Sequence, residues 1–241
     1  MNTTVLSRLR IAARSATGAR RRNEDRFLVR ELTADTLLLA VADGMGGEAA
    51  GDVAAQLAID TVAALLPGPE AEETHLLTQI ETANERVLAE ADRRGLSRMG
   101  TTLTVALISG NTLTWAHVGD SRLSLFRERK LRQLTLDQNA AGSMVAAGRL
   151  TPEEARFSPY RHMLEQCVGC LSCHPARGRL TLRAGDLLLL ATDGLHGELS
   201  NEVIAALLGG ANDLERIAQS LLDGALEQGG HDNVTVVLAS F

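Results

Sequence analysis

Aromatic side chains are scarce in this sequence, at 2% of its 241 residues. Its core must therefore be packed from leucine, valine, alanine and isoleucine, and few rings are available for nucleic-acid bases to stack on. Positive charge is also limited, because 24 Lys and Arg stand against 30 Asp and Glu, for a net charge of −6. An acidic protein repels phosphate backbones unless its positive charges are clustered. The one dense basic cluster, the arginines at 20–22, is too small for a nucleic-acid groove. No nucleic-acid partner is predicted, and any phosphate chemistry would need the help of cations.

Long hydrophobic runs are also missing. The longest apolar runs, at 37–42 and 187–191, have the length of β-strands rather than of membrane-spanning helices. The first ten residues are polar and lack the apolar stretch of a signal peptide. We therefore expect no membrane association and a cytoplasmic location.

Cysteine is limited to Cys167, Cys170 and Cys173, an odd number that does not make a disulfide framework. Their spacing, followed by His174, leaves three interpretations open: zinc or iron–sulfur ligation, a redox-sensitive thiol, or inert thiols. Inert thiols are favoured, because a fourth cysteine is missing and three-residue spacing on a strand would put alternate cysteines on opposite faces.

Short apolar segments separated by turn residues predict strands and antiparallel hairpins. The predicted strands are residues 9–15, 26–31, 36–42, 102–109, 112–118, 123–127, 187–192 and 234–239. Helical periodicity predicts one helix pair at 48–66 and 74–94 and another at 201–208 and 213–227. This order predicts an α+β fold in which helices cover a largely antiparallel sheet system. The length fits a single domain, residues 1–241, with an irregular flap-like insertion at about 138–179.

Four aspartates stand at predicted strand ends. Asp43 and Asp193 each follow an apolar strand and precede a glycine. Asp120 follows a strand and Gly119, and Asp232 opens the last strand. A single Asp-Gly pair is most simply explained as a turn, but the recurrence of the pattern favours a shared site.

A further carboxylate pair, Glu24 and Asp25, stands where the second strand begins. Carboxylates at strand ends, beside glycines that let the backbone come close, provide the oxygen ligands that Mg²⁺ and Mn²⁺ prefer. Two such ions can activate a bridging water and hold a phosphoryl group for in-line attack. The pattern therefore favours a divalent-cation site.

Six short motifs carry a family resemblance over nearly the whole chain. They are RRRNED at 20–25, VADGMGG at 41–47, MGTTL at 99–103, VGDSR at 118–122, ATDGL at 191–195 and DNVT at 232–235. In this order they resemble the metal-dependent serine/threonine protein phosphatases of the PPM (type 2C) family, in their compact bacterial form. The resemblance implies two stacked antiparallel β-sheets flanked on each side by a pair of antiparallel helices.

The resemblance also implies a site for two or three Mn²⁺ or Mg²⁺ ions. Asp43 would bridge two ions, with the carbonyl of Gly44 on one of them. Asp193 and Asp232 would complete the ligands of the other ion, and Asp120, together with Asp193, would hold a third, looser ion.

The remaining roles implied by the resemblance concern the substrate and the surroundings of the ions. Asp25 is counted among the metal ligands, although it and Glu24 would act mostly through metal-bound waters, and Asn233 would support the site from outside. Arg20, four residues before the motif's Glu, would bind the substrate phosphate. The implied reaction is direct hydrolysis of phosphoserine or phosphothreonine by a metal-bridging hydroxide, with Arg20 and Asp43 as catalytic residues.

The motifs depart from many eukaryotic relatives at two positions. Met45 and Glu48 stand where those relatives carry histidines, so no proton donor is assigned. A metal-bound water can fill that role, and so can Glu48 if its pKa is raised. Glu48 is equally explained as a carboxylate that favours a helix N-terminus.

The predicted substrates are phosphorylated proteins, and the predicted partner is a serine/threonine kinase that the phosphatase opposes. We expect a monomer. Two alternatives remain open: a catalytically weak module that binds phosphoproteins, and a hydrolase of a small phosphate ester. Retention of every ligand type argues against the first alternative.

Overall fold

The computed structural model describes residues 9–46, 50–66, 72–211 and 213–241. Outside the described residues lie 1–8, 47–49 (which include Glu48), 67–71 and 212. The strands, in chain order, are β1 (Arg10–Ala16), β2 (Asp25–Thr33), β3 (Thr36–Met45), β4 (Gly100–Thr101), β5 (Leu103–Ser109), β6 (Thr112–Val118), β7 (Arg122–Arg127), β8 (Lys130–Gln133), β9 (Ala176–Thr181), β10 (Leu187–Ala191) and β11 (Val234–Ser240).

The strands form two antiparallel sheets. One sheet has the order β1-β11-β10-β7-β8, and the other has the order β2-β3-β5-β6-β9, with β4 paired to β3. Strand β3 explains how the sheets stack, because alternate residues of a strand point to opposite faces. Its Leu38 and Ala40 pack into the core under the helices, whereas Leu37 and Leu39 pack into the core between the sheets. The apolar run of β3 is therefore buried on both faces.

Helices cover the outer face of each sheet. The helices are α1 (Ala50–Ala63), α2 (Glu72–Arg94), α3 (Ala140–Ala146), α4 (Pro152–Phe157), α5 (Asp193–His196), α6 (Asn201–Leu208) and α7 (Leu214–Glu227). Helices α1 and α2 share a core with β3 and β5, and α6 and α7 share a core with β10 and β11. The predicted α-β-β-α layering is confirmed.

The periodicity did not predict three strands: the two-residue β4, and β8 and β9, which lie at sheet edges. Strands β8 and β9 are polar, and their residues alternate between exposed and half-buried rather than forming an apolar run. Charged edge strands of this kind resist pairing with other chains, and they lack the hydrophobic pattern on which strand prediction depends. Because β9 begins at Ala176, the irregular segment ends about four residues earlier than predicted.

The irregular segment contains α3, α4 and a 3₁₀ turn at Pro159–His162. Helix α3 begins at an N-cap, Asn139, whose side chain accepts a hydrogen bond from the Gly142 amide. Helix α4 begins with a capping box formed by Thr151 and Glu154. Within the described ranges, no helix is both long and apolar enough to cross a membrane.

Candidate metal centre

A cleft of about 1280 Å³ opens where strand ends from both sheets meet. The sheets contribute Asp43 at the end of β3, Asp120 after β6, Asp193 after β10 and Asp232 before β11. The predicted site residues that line this cleft are Arg20, Glu24, Asp43, Gly44, Asp120, Asp193, Asp232 and Asn233. These predicted residues, from five of the six motifs, therefore meet in one place.

Asp25 lies behind the cleft rather than on its surface. It stands opposite Asp43 in the β2–β3 ladder and is 3% exposed. The Thr192 hydroxyl donates to its Oδ2 at 2.8 Å. Its Oδ1 is buried and makes no hydrogen bond in the described part of the chain. Burial, reinforced by the negative charges of Asp193 and Asp232, raises the pKa of Asp25 to about 7.

The backbone around Asp43 is held by two threonines of the segment that enters β5. The Asp43 amide donates to the Thr102 hydroxyl at 2.9 Å. The Asp43 carbonyl accepts from the Thr101 hydroxyl and from the Thr102 amide, both at 2.9 Å. A side chain at Gly44 would collide with the carbonyls of Gly51 and Glu24. The Asp-Gly pair is therefore required by a close backbone approach and is not simply a turn.

The carboxyl groups at the cleft repel one another. Burial raises the pKa of Asp43 well above its usual range, and the charges of Asp25 and Asp193 raise it further. Burial and Asp193 raise the pKa of Asp120 to about 8, although Asn139 donates to its Oδ2 at 3.0 Å. Burial and Asp232 raise the pKa of Asp193. Isolated buried carboxylates are unstable, so this arrangement requires either protons or cations.

The donor set fits hard divalent cations. Asp193 Oδ1, like Asp25 Oδ1, is buried without a hydrogen-bond partner among the described residues. All these side chains offer oxygen, which Mg²⁺ and Mn²⁺ prefer. No group of three or more His, Cys, Asp or Glu side chains in the described ranges is already arranged to hold an ion. Cation binding would therefore displace protons from these carboxyl groups.

Arg20 contacts a predicted metal ligand in this structure. Its Nη2 donates to Asp232 Oδ2 at 2.7 Å, and its Nε donates to the His231 carbonyl at 3.2 Å. His231 is in turn held by Glu198, whose Oε1 lies 2.8 Å from His231 Nδ1 and accepts from its amide at 3.1 Å. The Glu198 contact was missed by sequence reasoning, because the two residues are separated by 33 positions.

Residues with a supporting role surround Asp120 and Asp43. The Thr102 hydroxyl also lies 2.7 Å from that of Ser121. An asparagine before a helix, such as Asn139, can be recognised from the sequence as an N-cap. Its contact with Asp120 joins two loops that are distant in sequence, so no local sequence pattern predicts it. Met45 lines the cleft and offers no proton, and Glu48 lies outside the described residues.

The expectation of inert thiols is wrong for two of the three cysteines. Cys167 and Cys170 form a disulfide, with their Cα atoms 5.3 Å apart, and Cys173 remains a free thiol. The chain turns between the paired residues instead of extending as a strand, so the three-residue spacing brings the side chains together. In the described ranges, no cluster that includes these cysteines is arranged to hold zinc or iron.

The chain folds into a helix-flanked β-sandwich with a carboxylate centre at the strand ends of both sheets. The profile of the family described as protein phosphatase 2C matches residues 13–228. The chain belongs to this family, and the resemblance read from the motifs is confirmed.

Named relatives agree with the family. The serine/threonine protein phosphatase PstP of Mycobacterium tuberculosis is 40% identical over 240 residues, which cover 96% of this chain and 45% of that protein. The protein phosphatase PhpP of Streptococcus pneumoniae is 32% identical over 209 residues, 84% of this chain and 85% of that protein. The solved catalytic domain of a PstP in complex with two manganese ions has a TM-score of 0.85 and 40% identity, covering 96% of this chain and 97% of that one. The chain thus spans less than half of the mycobacterial relative's full length.

Proposed function

We propose that this protein is a metal-dependent phosphatase that hydrolyses phosphoserine and phosphothreonine in proteins. The observation that carries the proposal is the convergence of buried, mutually repelling carboxyl groups from both sheets on one cleft, with Arg20 at its edge. Membership of the protein phosphatase 2C family and the names of the relatives support it.

The proposed cations are Mn²⁺ or Mg²⁺, two or three in number. The proposed ligands are Asp25, Asp43, the carbonyl of Gly44, Asp120, Asp193 and Asp232, with Glu24 and Asn233 outside them. The two manganese ions in the PstP structure support the choice of cation. When bound, such cations supply an activated water and neutralise phosphate charge. Among the described residues, one carboxylate oxygen of Asp25 and one of Asp193 are buried without a hydrogen-bond partner, and a cation would stabilise both.

The chain's own residues would orient the substrate. We propose that Arg20 exchanges its contact with Asp232 for the substrate phosphate, because a guanidinium fork suits two phosphate oxygens. Cation binding at Asp232 would favour this exchange by satisfying that carboxylate. The threonine contacts keep Asp43 in place during the reaction, so the charge that develops meets a preorganised site.

The rim of the cleft favours a phosphoprotein over a small phosphate ester. Arg21, Arg22 and Arg98 are exposed and line the cleft beside Arg20. Their side chains make no ion pair within the part of the chain that the structure describes. Unpaired arginines outside the phosphate position suit a larger anionic substrate, such as a phosphorylated peptide segment.

Residues 1–241 would form one catalytic domain, and the phosphatase would act as a monomer in the cytoplasm. A serine/threonine kinase is the expected partner, because such a kinase must supply the substrate. Size-exclusion chromatography and cell fractionation test the oligomeric state and the location.

The deciding experiment compares hydrolysis of a phosphothreonine peptide and of an aryl phosphate, with Mn²⁺, with Mg²⁺ and with chelator. We expect activity that requires the cation, and Arg20→Ala should raise KM for both substrates. Arg98→Ala should raise KM for the peptide alone, and Arg132→Ala, on β8 away from the cleft, is the matched control. Activity that survives chelation would contradict the metal mechanism. Phosphopeptide binding without turnover under every cation would instead favour a binding module.

A further inference from the structure

We propose that Cys167 and Cys170 form a reversible dithiol–disulfide modification site that acts on cation binding at the cleft. The effect on cations rests on the proposed function, whereas the disulfide itself does not. Neither cysteine belongs to the motifs that build the carboxylate centre, which lie elsewhere in the chain.

The two sulfurs differ in access. Cys167 is 1% exposed, whereas Cys170 is half-buried. The turn between them is fastened to α2, because the Gly169 amide donates to Asn84 Oδ1 at 2.7 Å. Gly169 has φ +86° and lies against the side chain of Val87, where a side chain would not fit. An external thiol would therefore attack at the Cys170 sulfur, on a turn whose other side is anchored.

The turn also contacts the segment that holds Asp43. Val168, between the two cysteines, is fully buried and pairs with Thr101 through two backbone hydrogen bonds, each 2.9 Å long. The disulfide lies against Gly100, since a Cβ there would come within 3.2 Å of one sulfur and 3.7 Å of the other. Thr101 in turn donates its hydroxyl to the Asp43 carbonyl at 2.9 Å. The Val168–Thr101 pair therefore connects the turn between the two cysteines to the backbone of Asp43.

The chemistry is a two-electron thiol–disulfide exchange. A thiolate attacks the Cys170 sulfur, the bond between the two cysteines breaks, and Cys167 leaves as a thiolate that takes up a proton. A second thiol then releases Cys170 and leaves with the first as an external disulfide. The reverse reaction uses a low-molecular-weight disulfide as the oxidant. Accessible disulfides in reducing compartments are commonly of this exchangeable kind.

Cys173 is not the nucleophile that opens or resolves this bond. Burial, with a smaller contribution from Glu81, raises the pKa of the Cys173 thiol to about 11, so it stays protonated at neutral pH. Its presence nearby makes it a suitable control residue.

Reduction should weaken cation binding. The closed turn restricts the conformations of Val168 and so keeps Thr101 against Asp43. Without the cross-link, the turn gains conformational freedom and the carboxylate cluster loses part of its preorganisation. We expect the Mn²⁺ dissociation constant to rise on the order of threefold to tenfold on reduction. Only part of the conformational entropy that the cross-link removes from the turn is transmitted to the cation site.

The test uses the whole chain, oxidised with oxidised glutathione or reduced with a phosphine and then desalted. Mass spectrometry of the peptide that holds both cysteines should show the loss of two hydrogens after oxidation. Mn²⁺ binding, measured by electron paramagnetic resonance without substrate, should be tighter in the oxidised protein. Amide exchange at Thr101 and Val168 should be slower in that form.

The double variant Cys167→Ser/Cys170→Ser should bind Mn²⁺ like the reduced protein and ignore oxidant, whereas Cys173→Ser should respond like the wild type. Equal Mn²⁺ affinity in the two redox forms, or no disulfide after oxidation, would overturn the proposal. If neither form binds Mn²⁺, the proposed metal centre fails. In that case the mass shift and the exchange at Thr101 still decide whether the modification site exists.

Discussion

At the scale of single residues, Asp43 is under two opposing constraints. Its backbone is held by Thr101 and Thr102, while its carboxyl group is buried beside Asp25 and Asp193. The fixed backbone keeps the side chain among these negative charges, so its ionised form is unfavourable without a cation. The carboxyl group of Asp43 is therefore expected to serve cation binding while it destabilises the fold without cations.

Asp43→Asn should remove activity without unfolding the protein. We expect kcat with Mn²⁺ to fall by at least about 10²-fold, the scale seen when a preorganised electrostatic group is lost. The melting temperature in chelator should not fall, because one of the repelling carboxyls has been removed. A carboxyl group whose pKa is raised in the folded state destabilises that state as pH rises. The melting temperature of Asp43→Asn, relative to the wild type, should therefore increase with pH.

Differential scanning calorimetry and the aryl phosphate assay test this prediction together. Asp60→Asn, on the exposed face of α1, is the matched control and should keep wild-type activity. A variant that melts well below the wild type in chelator would argue that Asp43 has a structural rather than a catalytic role.

His117 illustrates a different electrostatic effect, one that concerns stability in acid. It is fully buried, lies 2.9 Å from the Thr104 hydroxyl and contacts the Leu136 carbonyl at 3.1 Å. Burial lowers its pKa from 6.5 to about 4. Between these values the unfolded chain binds more protons than the folded one, so stability is present above pH 6.5 and is lost as pH falls toward 4.

We therefore expect His117→Gln to flatten the dependence of the unfolding free energy on pH between 6.5 and 4. Urea unfolding at several pH values measures it, and comparing variants cancels the contributions of other groups. His174→Gln changes an exposed histidine and should keep the wild-type slope. Parallel curves for wild type and His117→Gln would contradict the assignment.

At the scale of elements, the junction of β3, β4 and β5 connects the cleft to the fold. Gly44 and Met45 of β3 pair with the two residues of β4. The Thr102 hydroxyl, between β4 and β5, bonds to both the Asp43 amide and the Ser121 hydroxyl. The short strand β4 thus turns the chain so that a hydroxyl faces the end of β3.

Thr102→Val should test this junction, because it keeps the shape of the side chain and removes the hydroxyl. We expect a loss of about 1–3 kcal/mol in unfolding free energy, since the half-buried Asp43 amide loses its partner. The value of kcat should fall as well, because Asp43 becomes less well positioned. Denaturant titration and steady-state kinetics give the two quantities. The control Thr112→Val, at the opposite end of β6, should change the unfolding free energy and kcat only slightly. If Thr102→Val also leaves both quantities unchanged, the junction is not needed for stability or activity.

At the scale of the whole molecule, the cleft joins two sheets that are otherwise connected through their shared apolar core. Asp25 and Asp43 come from one sheet, and Asp193 and Asp232 flank strands of the other. The repulsion between these carboxyls acts across the sandwich. Divalent cations should therefore stabilise the assembly of the two sheets, and chelation should weaken it.

Mn²⁺ should raise the melting temperature of the whole protein. At about 100 times its dissociation constant a ligand adds roughly 2.7 kcal/mol. For a chain of this size that corresponds to a rise of roughly 5–11 °C. The rise should be larger at pH 8 than at pH 6, because protons compete at Asp25 and Asp120, whose pKa values are about 7 and about 8.

A fluorescence melt with Mn²⁺ against chelator at both pH values measures this effect. The variant Asp43→Asn should lose most of the rise, whereas Asp60→Asn should retain it. An equal rise in both variants would place the cations elsewhere on the protein.

Local patterns in the sequence were sufficient for much of the fold. Apolar runs such as the one before Asp43 predicted the buried strands, and the helical periods predicted α1, α2, α6 and α7 to within a few residues. Strands β8 and β9 were missed because their residues are charged and lie at sheet edges. Their pairing depends on a neighbouring strand and not on an apolar run of their own.

Short contiguous motifs are enough to show which carboxylates stand at strand ends and which family the chain resembles. Tertiary structure decided the contacts that join distant segments. Asp25 opposite Asp43 and the Arg20–Asp232 pair depend on how strands align and sheets stack. The disulfide of Cys167 and Cys170 depends on a turn that pairs with β4. Such distances follow from packing of the whole chain, which no local pattern encodes.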